Sequence, residues 1–175
     1  MSGDTSRFTM TKLAATDDLS AFSCGSLEWE KDVSDFLKED ALEQQEMGLN
    51  VTWLCHSGEL LVGFTSLVAS SVQLKEFSWK NRFGLGQVKR SDVPCILIAQ
   101  FGVNEGSQGQ GIGKFMLSWV RGAAIDSSIG VKLLTLHVEN KNKSGRQFWV
   151  SQGFINFPPE GGSKQSFMVY DLSET

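Results

Sequence analysis

The sequence predicts a mixed α/β fold, a central sheet flanked by helices, within one domain spanning residues 1–175. Two observations carry that expectation. The first is the run 95–114, CILIAQFGVNEGSQGQGIGK, which reads as a buried strand (Ile96, Leu97, Ile98 and Ala99, then Phe101 and Val103), a glycine- and serine-rich turn, and the start of a helix. The second is what comes next. Ile112, Phe115, Met116, Trp119 and Ala123 keep the i, i+3, i+4, i+7 spacing of one apolar helix face, and Gly130 marks the helix end. Residues 131–138 then read as a further strand. Such a strand–helix–strand unit implies two neighbouring parallel strands, because the helix returns the chain to the same end of the sheet.

The other elements follow in order. Residues 8–13 alternate as a first strand, and Asp17-Asp18-Leu19 leads into Phe22-Ser23-Cys24-Gly25. Two helices are expected over 26–39 and 41–47, with Trp29, Val33, Phe36 and Leu37 on the apolar face and Gly48-Leu49-Asn50 closing the pair. Residues 51–56, the turn Ser57-Gly58-Glu59 and residues 60–68 read as a β-hairpin. Residues 75–92 read as a loop. After the central unit, a short helix runs to Gly153. Two last strands lie near 154–157 and 166–172, separated by Pro158-Pro159-Glu160-Gly161-Gly162.

The turn Gln108-Gly109-Gln110-Gly111-Ile112-Gly113 is the chemical centre of the chain. Glycines there let backbone N–H groups point outward with no Cβ to block close approach. The first turn of the helix adds its orphan donors and the positive end of its dipole, which together suit a phosphate or pyrophosphate. Lys114 adds a cation. Two common nucleotide motifs are excluded. The dinucleotide fingerprint G-x-G-x-x-G needs a glycine where Lys114 stands, and the P-loop needs a glycine at Gln108 and a Ser or Thr at Phe115.

The hexapeptide has instead the form Q-x-x-G-x-G. A second segment, Asn142-Lys143-Ser144-Gly145-Arg146-Gln147-Phe148-Trp149-Val150-Ser151-Gln152-Gly153-Phe154, fits the pattern N-x-x-A-x-x-F-Y-x-x-x-G-F at Asn142, Phe148, Gly153 and Phe154, with Gly145 replacing alanine and Trp149 replacing tyrosine. On these two motifs the chain resembles the GNAT superfamily of N-acetyltransferases. The element order β-αα-β-β-β-α-β-α-β-β extends the resemblance over nearly the whole chain.

The resemblance implies a GNAT fold: a mixed, mostly antiparallel sheet of about six to seven strands, with one splayed parallel pair and about four flanking helices. It implies acetyl-CoA as co-substrate, no metal, and transfer of the acetyl group to a primary amine by direct attack. The pyrophosphate would be held at Gln108, Gly109, Gln110, Gly111, Ile112, Gly113 and Lys114. The pantetheine arm would pair with the backbone of Phe101 and Val103, where one N–H holds the developing oxyanion. Asn142 and Trp149 would border the channel. Phe22-x-Cys24-Gly25, Gln44-Gln45-x-x-Gly48 and the run 61–67 further resemble toxin-type acetyltransferases that act on aminoacyl-tRNA, which is the alternative acceptor. A coenzyme A-binding module without turnover is the alternative from another class.

No catalytic residue is assigned by this reading. Where many relatives carry a tyrosine that protonates the departing thiolate, Trp149 offers an indole N–H, which is no proton donor at neutral pH. Histone-type relatives use a glutamate in the strand before the turn. Residues 93–104 contain no acidic side chain, and Leu97 occupies the corresponding position. His137 has a suitable ordinary pKa for a base and shares a strand face with Glu139. A histidine on a strand is more often structural, and Glu105 is expected to be solvated.

Composition narrows the setting. No apolar run approaches a membrane span and MSGDTSRF has no signal-peptide core, so export is not expected. Cys24, Cys55 and Cys95 have no C-x-x-C spacing, which argues for buried thiols in a reduced, cytoplasmic protein rather than a disulfide framework or zinc site. The net charge of −4 is uneven: residues 75–92 hold five Lys/Arg and two Asp/Glu, +3, leaving −7 elsewhere. Phe77, Trp79 and Phe83 interleave with Lys80, Arg82, Lys89 and Arg90 there, a pattern that also serves anionic partners. The expected partners are acetyl-CoA and an amine acceptor, with nucleic acid only under the toxin-type alternative, no membrane, and a homodimer left open.

Overall fold

The computed structural model describes residues 7–157 and 164–174. The expected separator at 158–162 and the Phe77 side chain lie outside the described residues. A seven-stranded sheet runs in the order β1-β2-β3-β4-β5-β7-β6. Its strands are β1 (Thr9–Lys12), β2 (Val51–Ser57), β3 (Leu60–Gln73), β4 (Asp92–Val103), β5 (Leu133–Glu139), β6 (Ile155–Phe157) and β7 (Gln165–Asp171). Among the described residues β4 and β5 form the one parallel pair, as the strand–helix–strand reading requires. The fold is the GNAT fold. Among the described residues no helix is long and apolar enough to cross a membrane.

The chain packs as two compact units, Met1–Val68 with Ile98–Val120, and Ala69–Leu97 with Arg121–Thr175. In the first, the β2–β3 hairpin separates two apolar clusters by strand alternation. Leu54 and Phe64 pack with Leu13, Phe22, Leu37 and Ala41, whereas Cys55 and Val62 pack with Ile112 and Met116. The register pairs Cys55 with Gly63 and His56 with Leu61, so Val62 is the extra residue of a bulge. Its carbonyl accepts the Asn104 N–H at 2.9 Å, which pins the chain at the end of β4.

The two expected N-terminal helices are one uninterrupted run: α1 (Glu28–Asp35), a π-helical segment (Phe36–Asp40) and α2 (Ala41–Glu46). No Gly or Pro stands between them, and the wider π turn keeps both Leu37 and Ala41 buried.

In the second unit, residues expected to form a loop instead contain α3 (Phe77–Arg82). Trp79 and Phe83 stand four apart, stack at 6.0 Å, and pack against a cluster with Val72, Leu74, Val93, Cys95, Leu133 and Val169. The central helix, α4 (Ile112–Ile125), ends short of Gly130. Beyond it, Ser127 accepts the Ile129 N–H at 3.3 Å, a local bond that competes with helix, and Ile129 is exposed. The last α-helix among the described residues is α5 (Lys143–Ser151), and Gly153 closes it at φ +87°, the left-handed cap expected there.

Candidate active site

The site begins with which way β4 faces. Asn104 donates to Val62 O, the Thr65 hydroxyl donates to Gln100 O at 3.1 Å, and Gly102 O lies close to Gly63. Even-numbered residues therefore turn their backbone toward β3, and alternation turns the amides of Phe101 and Val103 to the opposite edge. Those are the two residues expected to meet the pantetheine arm.

Sequence reasoning gave no structural role to the segment 23–25, yet it frames the turn. Ser23 O accepts the Glu105 N–H at 2.7 Å, and Cys24 O accepts the Gln108 side-chain amide at 2.9 Å. A Cβ on Gly102 would sit 2.6 Å from the Cys24 sulphur, so glycine is needed for that approach. The signal was the Phe22-x-Cys24-Gly25 resemblance, but only the fold shows that it clamps the glycine loop from eighty residues away.

After β4, Asn104 caps a single 3₁₀ turn, Glu105–Ser107, by accepting the Gly106 N–H at 3.2 Å. Gln108 then holds the turn: besides Cys24 O, it donates to Val103 O at 3.4 Å. Gly109 and Gly111 follow at φ +77° and +84°, a region costing other residues about 1–2 kcal/mol. A Cβ built on either meets nothing within 4 Å, so these glycines open onto space and leave their backbone approachable. The Phe115 N–H to Gly111 O bond, 3.0 Å, is the first of α4. The N–H groups of Ile112, Gly113 and Lys114 thus lie ahead of the helical ladder, and Gly111 has no side chain with which to cap them. Such a cradle fits a pyrophosphate.

The second motif forms α5. Asn142 is its N-cap, accepting the Gly145 N–H at 2.8 Å, and Trp149 is buried against Phe148 and Phe154 with ring centroids at 5.0 and 5.1 Å.

A profile described as the Acetyltransferase (GNAT) family matches residues 16–154. The chain belongs to the GNAT acetyltransferase family. No curated protein sequence matches it. Among solved structures it is similar to a tyrosine-to-phenylalanine mutant of KacT, at 22% identity and TM-score 0.74 with 96% of each chain covered. It is also similar to AtaTR bound with AcCoA, at 18% identity and TM-score 0.74 over 97% of this chain and 96% of that one. AtaT complexed with acetyl-methionyl-tRNAfMet aligns at 19% identity and TM-score 0.73 over 95% and 96%.

Within this GNAT chain the candidate bases stand apart from the glycine turn in role. His137 is exposed, yet Phe167, its partner in the β5–β7 register, covers one side of its ring at 4.8 Å, and that desolvation lowers its pKa. Glu139 accepts a hydrogen bond from the Gln165 amide at 2.7 Å. Glu105 is exposed. Glu30 accepts the Leu27 N–H at 3.0 Å and so ties down the start of α1. The three cysteines are buried, unbridged thiols. Burial pushes Cys24 and Cys55 up to about 11 and raises Cys95, so none is a thiolate nucleophile at neutral pH. Among the described residues no His/Cys/Asp/Glu group is placed to hold a metal.

Proposed function

We propose that this GNAT chain transfers an acetyl group from acetyl-CoA to a primary amine by direct attack of the amine on the thioester. The carrying observation is the start of α4. A helix led in by two left-handed glycines that face open space presents uncapped N–H groups, next to a strand whose Phe101 and Val103 amides face away from β3. The turn residues 108–114 hold the pyrophosphate, with Gln108 shaping the loop and the backbone of 109–114 making contact. The Phe101–Val103 edge receives the pantetheine amides and the developing oxyanion. With no carboxylate between residues 93 and 104, deprotonation of the amine falls to water or to capture of an amine already neutral, and Trp149 packs rather than donates a proton. A reduced cytoplasmic setting agrees with three buried thiols. The test is thiol release from acetyl-CoA across a panel of small amines and aminoacyl-tRNAs, with mass spectrometry of the acceptor. No acetylated product from any of them would leave a coenzyme A-binding module.

An aminoacyl-tRNA acceptor is the second reading. The similarity to the AtaT complex with acetyl-methionyl-tRNAfMet over 95% of the chain favours it. Charge distribution favours it as well. Residues 28–46 hold eight Asp/Glu and two Lys/Arg, −6, so the remaining sequence sums to +2 and repels a polyanion less than the total of −4 suggests. Within the basic segment, however, the Lys80 ammonium donates to Val88 O at 3.1 Å and Arg82 lies 6.0 Å from the Trp79 ring. Two of its five cations thus already hold the segment together. An RNA substrate would show turnover falling steeply with salt and flattening when Lys89 and Arg90 are replaced by Ser.

A further inference from the structure

We propose that Arg7 is a second cation of the cofactor's phosphate site, brought to the glycine turn from the opposite end of the chain. This rests on the acetyl-CoA reading above and adds a residue that neither motif contains. Acyl-CoA carries about four negative charges, spread over a pyrophosphate and a 3′-phosphate. Backbone N–H groups and a helix dipole are neutral or fractional donors, and Lys114 is the cation supplied by the turn itself.

The placement of Arg7 follows from its neighbour. Phe8 packs on Phe115 in the first turn of α4, with ring centroids 5.3 Å apart, and joins the cluster of Ile112 and Met116. One residue later β1 begins, with Thr9 opposite His56. The chain is therefore fixed at Phe8 and in the strand that follows, and Arg7 emerges beside the start of α4. Its guanidinium lies 5.6 Å from the Phe8 ring, and Nη2 donates to Gln110 Oε1 at 3.4 Å. Gln110 is the residue between the two left-handed glycines. The glutamine oxygen occupies one of five guanidinium donors, which leaves a planar fork of the geometry that binds phosphate oxygens in pairs. The Gln110 side chain is then the holder of the cation, while its backbone stays part of the cradle. Both side chains are exposed, so a ligand has access to them.

Calorimetric titration of the full chain and its Arg7→Gln variant with coenzyme A and with 3′-dephospho-coenzyme A tests this. Arg7→Gln is expected to weaken coenzyme A binding about five- to tenfold at low salt and less at high salt, because the lost contact is an exposed, screened one. A loss of equal size with both ligands assigns the guanidinium to the pyrophosphate. A loss confined to coenzyme A assigns it to the 3′-phosphate. Arg7→Glu should weaken binding further by repulsion. Unchanged affinity for both ligands, within twofold, in a variant with wild-type melting temperature would overturn the proposal. Wild-type protein that bound neither ligand would overturn the cofactor reading itself.

Discussion

Two helices of this chain begin after a strand and a short turn, and they begin in opposite ways. At α5 the side chain of Asn142 closes the helix onto itself by accepting the Gly145 N–H at 2.8 Å. At α4 the preceding residue is Gly111, which has no side chain to offer, and the turn before it opens outward at φ +77° and +84°. Satisfying one's own donors stabilises a helix by about 1 kcal/mol, so leaving a start uncapped makes physical sense where an anion supplies the acceptors instead. Under the proposed function the contrast places the ligand at α4 and leaves α5 a structural task. The glycine that replaces alanine in the second motif sits directly against this cap. A Cβ at Gly145 would lie 2.6 Å from the Asn142 side-chain amide, so a residue larger than glycine would require that side chain to shift.

The strongest way to break this contrast is at Gly111. Gly111→Gln puts a side chain into the open space where a pyrophosphate would lie and forces a non-glycine residue to φ +84°. Coenzyme A affinity should fall more than about tenfold, 1.4 kcal/mol or more, with about 1–2 kcal/mol lost in stability from backbone strain. Calorimetry on the folded variant decides the matter; normal affinity would remove the phosphate role of the turn. The counterpart is Asn142→Ala, expected to lower stability by about 1 kcal/mol through loss of the α5 cap while leaving coenzyme A affinity within about twofold. A tenfold affinity loss with unchanged melting would return Asn142 to the cofactor site that the motif reading gave it.

How much of this was legible in the sequence depends on the range of the interaction. Glycine at 109 and 111, apolar spacing in α4 and the glycine after α5 are local signals, because backbone dihedrals and helix period act over a few residues. The strand–turn–helix unit and the fold class followed from them. The clamp of Ser23 and Cys24 on the turn was not legible, because no spacing rule links residues eighty apart. Helix α3 was missed for a related reason. Its charges and glycines read as loop, and only packing of Trp79 against Phe83 and Phe157 makes a short helix stable. The π segment escaped too, since its sequence is good helix sequence whose wider register is set by where Leu37 and Ala41 must be buried.

The self-satisfied character of α5 recurs at the end of β7. Burial pushes the Asp171 pKa up, but bonds from the Lys132 ammonium at 2.7 Å and from the Ser173 N–H and hydroxyl outweigh it, so the net shift is downward. A carboxylate depressed in the folded state contributes stability that is present above its unfolded value, 3.8, and is lost as pH falls through the folded value. Lys132→Met should therefore destabilise at neutral pH and leave a smaller difference from wild type in strong acid. His137 acts at milder pH: its folded pKa is lowered, so stability present above its unfolded value of 6.5 declines as pH falls below that value. Melting curves between pH 7 and pH 5 for wild type and His137→Gln should converge if the histidine carries that decline. Parallel curves would assign it elsewhere.

The smallest expected effect is the most informative about chemistry. Trp149 stands where many GNAT relatives carry a tyrosine, and it is 7% exposed, wedged edge-on between Phe148 and Phe154. If packing is its whole task, Trp149→Phe keeps an aromatic ring in the same wedge at a modest cost in stability, and turnover should stay within about twofold. The thiolate leaving coenzyme A then departs without an acid from this position, as a group with an ordinary pKa near 8.5 does readily at neutral pH. Trp149→Tyr gives the complementary result. A hydroxyl there raises turnover only if proton delivery limits the rate, and the gain would then follow pH as the acid deprotonates. A large loss for Trp149→Phe, with melting unchanged and coenzyme A affinity retained, would show that the indole N–H takes part in the reaction. That single outcome would move α5 from scaffold to catalysis and end its contrast with α4.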